Sequence, residues 1–104
     1  MEKEQKQSYV YVVTLEWVFD YQNGVSIICV TKDRKEAEQR MAKEIENEKR
    51  ESWIADIDPE DISTDQSMMY VLEETDSSWS VYLNGCYSTQ HTDFCIHTVI
   101  ADEL

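Results

Sequence analysis

The second half of the sequence lacks positive charge altogether. All nine lysine and arginine residues lie within residues 1–50, whereas residues 51–104 carry twelve aspartate and glutamate residues and no base. The net charge of −13 is therefore almost entirely a property of the second half. Direct binding to nucleic acid or to an anionic membrane is disfavoured, because both require basic contacts to phosphate. The charge favours a basic protein as the partner instead.

Glycine, proline and long apolar runs are scarce as well. Two glycines and one proline leave little room for irregular loops, and no apolar run approaches the roughly 20 residues that span a bilayer. The N-terminal residues MEKEQKQ lack the apolar segment of a secretory signal. Three cysteines cannot all pair within one chain, so free thiols in a reducing compartment are the simplest interpretation. We therefore expect a protein that stays in the cytoplasm where it is made.

The hydrophobic pattern predicts a small α+β domain. Period-two alternation and β-branched residues predict five strands, at residues 8–19, 25–31, 68–75, 79–83 and 93–100. Asn23-Gly24 and Asn84-Gly85 are typical of tight hairpin turns. Asp33 with Glu36 predicts the start of a helix, and Ala37, Met41 and Ile45 give that helix one apolar stripe.

The expected fold is an antiparallel sheet of about five strands with one helix packed on a face, in the order ββαβββ. We expect residues 1–104 to form a single domain, with residues 1–7 disordered and an acidic connector at residues 55–66. The first strand has apolar residues on both faces, which predicts that it lies inside the sheet and not at its edge.

Two cysteines and both histidines lie close together near the C-terminus, at Cys86, His91, Cys95 and His97. Zinc accepts two thiolates and two imidazoles, but structural zinc sites use a tight C-x2-C turn that is missing here. Cys95 and His97 share one face of an extended strand, and Cys86 and His91 converge with them only if the chain bends. The interpretation is that these residues belong to an ordinary strand, with no metal, no cofactor and no catalytic cysteine.

The carboxylates of the base-free half form the candidate binding surface. We predict that eight of them contact a partner protein. These are Asp56, Asp58, Glu60, Asp61, Asp65, Glu73, Glu74 and Asp76. A surface that serves solubility normally mixes charges of both signs. Alternate residues of a strand lie about 6.6–6.8 Å apart, so carboxylates on a strand or loop can imitate the charge spacing of a nucleic acid.

Two stretches, YVYVVTLEWVFDYQNGVSIICVTKDRKEAEQRM and WSVYLNGCYSTQHTDFCIHTVI, carry a resemblance to a known class of proteins. A hairpin leading into a helix and a closing hairpin resemble the small, acidic, single-domain proteins of bacteriophages and mobile elements. That class includes anti-CRISPR and other anti-defence inhibitors. The resemblance implies an α/β inhibitor that binds a nucleic-acid-binding effector, and it assigns no functional residue.

The sequence thus predicts a non-enzymatic inhibitor, encoded by a phage or mobile element. It would bind a basic, nucleic-acid-binding defence protein of the host, such as a CRISPR effector, and block its nucleic-acid site. Trp53 and Tyr70 are predicted to act as exposed aromatic anchors. One alternative is a non-catalytic accessory module that forms a homodimer through exposed sheet edges. Another is a small zinc-binding protein that uses the C-terminal cysteines and histidines.

Overall fold

A computed structural model describes residues 9–86 and 89–100 of the chain. It contains one α-helix, two 3-10 helical turns at Trp53–Asp56 and Pro59–Asp61, and six strands. The helix α1 is Arg34–Glu51, and the strands are β1 (Tyr9–Phe19), β2 (Gln22–Thr31), β3 (Ile62–Ser63), β4 (Tyr70–Glu74), β5 (Ser78–Leu83) and β6 (Gln90–Ile100). The six strands form one mixed sheet in the order β2-β1-β6-β5-β4-β3.

The first and last strands lie side by side at the middle of this sheet. β1 and β6 pair antiparallel along their whole length, from Tyr9 opposite Ile100 to Phe19 opposite Gln90. β2 pairs with the other side of β1, and β5 pairs with the other side of β6. The prediction that the first strand is internal is therefore confirmed.

The hydrophobic core lies between the sheet and α1. β1 and β6 contribute Val13, Phe94 and Ile96 to it, and β5 contributes Trp79 and Val81, each with at most 4% of its surface exposed. Neighbouring side chains of a strand point to opposite faces, so the residues next to these core residues lie on the other side of the sheet. Core packing therefore fixes which residues of each strand face away from the helix.

The helix is positioned by its cap and its apolar stripe, as predicted. Asp33 is the N-cap, and its carboxylate accepts a hydrogen bond of 3.0 Å from the backbone N–H of Lys35. Ala37, Met41 and Ile45 are the buried residues of α1. On its solvent side, α1 carries the contacts Arg34–Glu38, Lys49–Glu46 and Arg50–Asn47.

Hydrogen bonds to residues of the sheet and its turns hold both ends of the helix. Near its start, Arg34 donates to the carbonyl of Asp76 at 2.9 Å and lies over the ring of Tyr11. Just beyond its end, the indole N–H of Trp53 donates to the hydroxyl of Thr92 at 3.1 Å. The orientation of α1 on the sheet is therefore fixed at two distant points.

The sheet differs from the prediction in the number and direction of its strands. The sequence suggested about five antiparallel strands, whereas the structure adds the two-residue β3, which runs parallel to β4. Ile62 of β3 pairs with Tyr70, the first residue of β4. The extra strand lies inside the segment expected to be a connector. The sequence did not predict it, because two residues are too few to give a period-two pattern.

The first hairpin turn was also predicted in the wrong place. The turn lies at Asp20–Tyr21, where Asp20 has a positive φ of 59°. Asn23 and Gly24 are part of β2, and Gly24 pairs with Trp17 of β1. The second turn signal is correct: Asn84 and Gly85 form a turn after β5, and Gly85 has a φ of 81°. Asn-Gly is permitted in a turn but does not require one, since glycine also serves where a neighbouring side chain needs space.

Among the described residues, no helix is both long and apolar enough to cross a membrane. The described strands and helix share one core. The prediction for residues 1–7 lies outside the described residues.

We expect Gly24→Ala to destabilise the protein by about 1–3 kcal/mol, the usual cost of overpacking. A Cβ atom at residue 24 would lie 2.6–2.9 Å from three atoms of the Trp17 indole. Urea unfolding of the single variants and of the Trp17→Leu/Gly24→Ala double variant measures this effect. The cost of the alanine should shrink strongly in the Trp17→Leu background, and an equal cost in both backgrounds would contradict the steric explanation.

Candidate functional site

The acidic connector joins the end of α1 to the outer edge of the sheet. Its first two carboxylates belong to 3-10 turns: Asp56 ends one, and Asp58 caps the next by accepting from the backbone N–H of Glu60 at 3.0 Å. Asp56, Asp58 and Glu60 are exposed and Asp61 is half-buried. Four carboxylates therefore cluster in sequence on the segment that leads into β3.

Asp65 lies in the turn region between β3 and β4, where it forms hydrogen bonds with a neighbouring residue of the same turn. Its carboxylate accepts two hydrogen bonds of 2.9 Å, from the backbone N–H and the hydroxyl of Ser67. The backbone and hydroxyl hydrogen bonds from Ser67 lower the pKa of Asp65, because both stabilise the charged form. Asp65 therefore stays ionised at neutral pH.

The remaining predicted carboxylates belong to the far end of β4. Glu73 and Glu74 are neighbours on the strand and so point to opposite faces of the sheet. Glu73 accepts a hydrogen bond of 3.1 Å from the hydroxyl of Tyr82, and Asp76 lies in the turn before β5. The predicted array thus follows the β3–β4 edge of the sheet, with the connector near the start of β4 and these three residues near its end.

The sheet surface opposite α1, here called the open face, carries a row of polar side chains of which sequence reasoning found only Glu73. Glu16, Asp93, Ser80 and Glu73 are successive cross-strand partners on β1, β6, β5 and β4. These positions alternate with the core residues of their strands, so they lie on the side away from the helix. No lysine or arginine occurs in any of the six strands.

The histidines and cysteines of the C-terminal segment do not converge. His91, Cys95 and His97 lie on the open face of β6 at alternate positions, and Cys86 is exposed in the turn after β5. His91 and Cys95 are four residues apart on a strand, which places their Cα atoms about 13 Å from each other. The ligands of one zinc ion lie far closer than that, so the four residues do not surround one metal ion.

A different group of metal-ligating atoms is brought together by β1 and β6. Among the described residues, one ligand atom each from Glu16, His91 and Asp93 lie within 4.8 Å of one another. The His91 Nε2 atom is 3.6 Å from the Glu16 carboxylate. Sequence reasoning singled out His91 but paired it with cysteines of its own strand, because the register that places β1 beside β6 cannot be read from local patterns.

The Cys95 thiol lies on β6 next to Asp93 in the open-face row. Burial, together with the neighbouring Asp93 carboxylate, raises the pKa of the Cys95 thiol, whereas an activated cysteine has a lowered pKa. The imidazole of His97 makes a hydrogen bond of 2.9 Å with the Thr14 hydroxyl on β1. The described hydrogen bond of His97 thus runs to the neighbouring strand β1.

An aromatic groove lies at the C-terminal end of α1, on the helix side of the sheet. It has a volume of about 480 Å³, and its lining includes Trp17, Phe19 and Trp53 together with the carboxylates of Glu48 and Asp56. Burial raises the pKa of Glu48, and the nearby Glu44 and Glu51 raise it further while a hydrogen bond with Ser52 opposes them. The groove combines aromatic surface with negative charge.

The two aromatic residues predicted to be exposed anchors are instead half-buried parts of the packing. The ring of Trp53 lies between those of Phe19 and Tyr70, with centroid distances of 6.1 and 5.9 Å. Trp53 and Tyr70 both pack against the core. They shape the protein's own surface and do not project from it.

Comparison of the chain with protein-family models, with curated proteins and with solved structures finds no match to any of them. The resemblance to small acidic phage proteins therefore stays a prediction.

The three thiols should differ in reactivity, and this difference tests the raised pKa of the Cys95 thiol. At pH 7.5 we expect the exposed Cys86 to react first with a thiol reagent such as DTNB, and Cys95 to react several-fold more slowly because of its raised pKa. The time course of absorbance measures this for the wild type and for Cys86→Ser and Cys95→Ser. Cys86→Ser should remove the fast phase, and loss of that phase in Cys95→Ser would contradict the assignment.

Proposed function

We propose that the protein is a non-enzymatic inhibitor, encoded by a phage or mobile element and acting in the bacterial cytoplasm. It binds a basic, nucleic-acid-binding defence protein of the host, such as a CRISPR effector, and occupies the site that nucleic acid would use. The observation that carries this proposal is the separation of charge between the two layers of the fold.

The helix layer carries six of the seven lysine and arginine residues in the described part of the chain, and its own charges cancel. Within Arg34–Glu51, six bases are balanced by six acids. The strands and the connector carry acids and no base, so the excess negative charge of the described chain lies on the sheet, its outer edge and its turns. Such a field steers a basic partner towards the strands, the connector and the turns, and it repels a nucleic acid.

The acidic connector and the aromatic groove form one continuous candidate contact region, because Asp56 belongs to both. An arginine of the partner suits this groove: its planar guanidinium stacks on aromatic rings and pairs with carboxylates. In this proposal the carboxylates supply orientation and a fast association rate, and the groove supplies the desolvated contact.

Removing four negative charges from the connector should weaken binding to the partner by at least about tenfold at low salt. The variant is Asp56→Asn/Asp58→Asn/Glu60→Gln/Asp61→Asn, in which asparagine at residue 58 retains the helix cap. Binding to purified CRISPR effector nucleases is measured by calorimetry at about 50 and 200 mM salt, where electrostatic contacts to a nucleic-acid site differ strongly.

The control, Glu36→Gln/Glu38→Gln/Glu46→Gln, removes three charges from the helix layer at positions outside the lining of the groove. We expect this control to change affinity by less than about threefold, since the total charge matters less than its position. Equal losses in the two variants would contradict a localised contact. Unchanged binding in the connector variant would overturn the electrostatic proposal.

A second candidate function is a homodimeric accessory module, and the outer strand β2 favours it. Val25, Ile27 and Val30 are 62–69% exposed, all on the open face, and β2 is an edge strand of ten residues. A long apolar edge strand is a template for pairing with a second copy. Antiparallel pairing of two β2 strands would form a continuous sheet across a two-fold axis.

Light scattering coupled to size-exclusion chromatography distinguishes the two candidates. If the protein dimerises through β2, the wild type should elute at twice the chain mass of 12.3 kDa and Ile27→Lys should elute as a monomer. Val99→Lys, which places the same charge on the open face of β6, is the control and should stay dimeric. A monomeric wild type at about 100 μM would contradict the dimer.

A further inference from the structure

The cluster of Glu16, His91 and Asp93 is built by the central pairing of the sheet. Glu16 of β1 lies directly opposite Asp93 of β6, and His91 precedes Asp93 by two residues on the same face. Each side chain is therefore held by a strand that is paired on both sides. Rigid elements of this kind position ligands more accurately than loops do.

The distances within the cluster suit a metal ion. Ligand atoms bonded to one ion at about 2.0–2.2 Å lie roughly 3–3.6 Å from each other in a tetrahedral site. The His91 Nε2 and Glu16 oxygen atoms are 3.6 Å apart, and all three ligand atoms lie within 4.8 Å. Binding of one ion by all three atoms requires their separations, at most 4.8 Å here, to fall to about 3.6 Å or less.

The environment of the three side chains is graded from buried to exposed. His91 has 4% of its surface exposed, Asp93 is half-buried, and the Glu16 side chain is 55% exposed. The imidazole is thus a fixed ligand at the base of the site, and Glu16 is an adjustable ligand at its rim. Solvent reaches the site from the Glu16 side, which leaves coordination positions for water.

The electrostatics also favour a cation at this point. Like charges directly opposite each other on neighbouring strands destabilise a sheet, and Glu16 and Asp93 form such a pair. Glu73 extends the same row on β4, and no strand supplies a lysine or arginine to compensate. A divalent ion bound between Glu16 and Asp93 would offset this repulsion.

We propose that Glu16, His91 and Asp93 bind a divalent transition-metal ion on the open face of the sheet. One imidazole nitrogen with two carboxylate oxygens suits Mn²⁺, Fe²⁺, Co²⁺ or Zn²⁺. Calcium and magnesium prefer sites made of oxygen alone, and cuprous ions prefer sulfur. This site is separate from the connector, so it stands whether or not the protein binds a defence protein.

Binding of Mn²⁺ to the full chain tests the site, because carboxylate and imidazole bind this ion and thiols contribute little. Loss of the free-ion signal in electron paramagnetic resonance gives affinity and stoichiometry, and Zn²⁺ competes for the same site. We expect one Mn²⁺ per chain. His91→Gln and Asp93→Asn should each weaken binding by at least about tenfold.

His97→Gln is the matched control, since His97 lies on the same face of the same strand but outside the cluster. It should bind Mn²⁺ as the wild type does. Glu16→Gln tests the site without changing a buried residue, so its loss of binding supports the proposal even if His91→Gln fails to fold. Cys86→Ser/Cys95→Ser should bind Zn²⁺ with unchanged affinity.

Three results would overturn the proposal. The first is a wild type that binds neither Mn²⁺ nor Zn²⁺ at millimolar concentration. The second is equal loss of binding in His97→Gln and His91→Gln. The third is wild-type Mn²⁺ affinity in a folded Glu16→Gln variant.

Discussion

The antiparallel pairing of β1 with β6 is the constraint on which the rest of the structure depends. It joins the two ends of the described chain over eleven residues each and places both strands inside the sheet. With both strands internal, Val13, Phe94 and Ile96 become the floor on which α1 packs. The same register brings Glu16 next to His91 and Asp93 on the opposite side. One set of backbone hydrogen bonds therefore determines the core on one face and the polar cluster on the other.

The fold also separates charge. A helix on a sheet surface needs an apolar stripe on one side and polar residues on the other, and here the polar side holds equal numbers of acids and bases. The strands and connector hold acids alone. Self-repulsion of this charge reduces stability. The hydrophobic core and the hydrogen bonds of Arg34 and Trp53 offset this loss of stability. The excess of carboxylates on the strands and connector is the property on which both the partner and the metal proposals draw, by different chemistry.

The open face is divided in a way that one strand alone does not reveal. Its β2 side presents Val25, Ile27 and Val30 to solvent, and its β6–β4 side presents the carboxylate row that includes Asp93 and Glu73. An apolar strip therefore lies beside a charged row on one face of the sheet. The connector at the far edge adds a second acidic region, next to an aromatic groove.

Local patterns predicted the parts of this structure that depend on local physics. Alternation identified the five longer strands, the Asp33 cap and the stripe at Ala37, Met41 and Ile45 identified the helix, and the absence of bases after Arg50 identified the acidic half. Side-chain period, capping and charge are properties of neighbouring residues, so the sequence by itself determined them. The parallel strand β3, the turn at Asp20–Tyr21 and the Glu16–His91–Asp93 cluster were decided by tertiary structure. Each depends on which strand pairs with which and in what register, and residues distant in the chain fix that pairing by sharing one core.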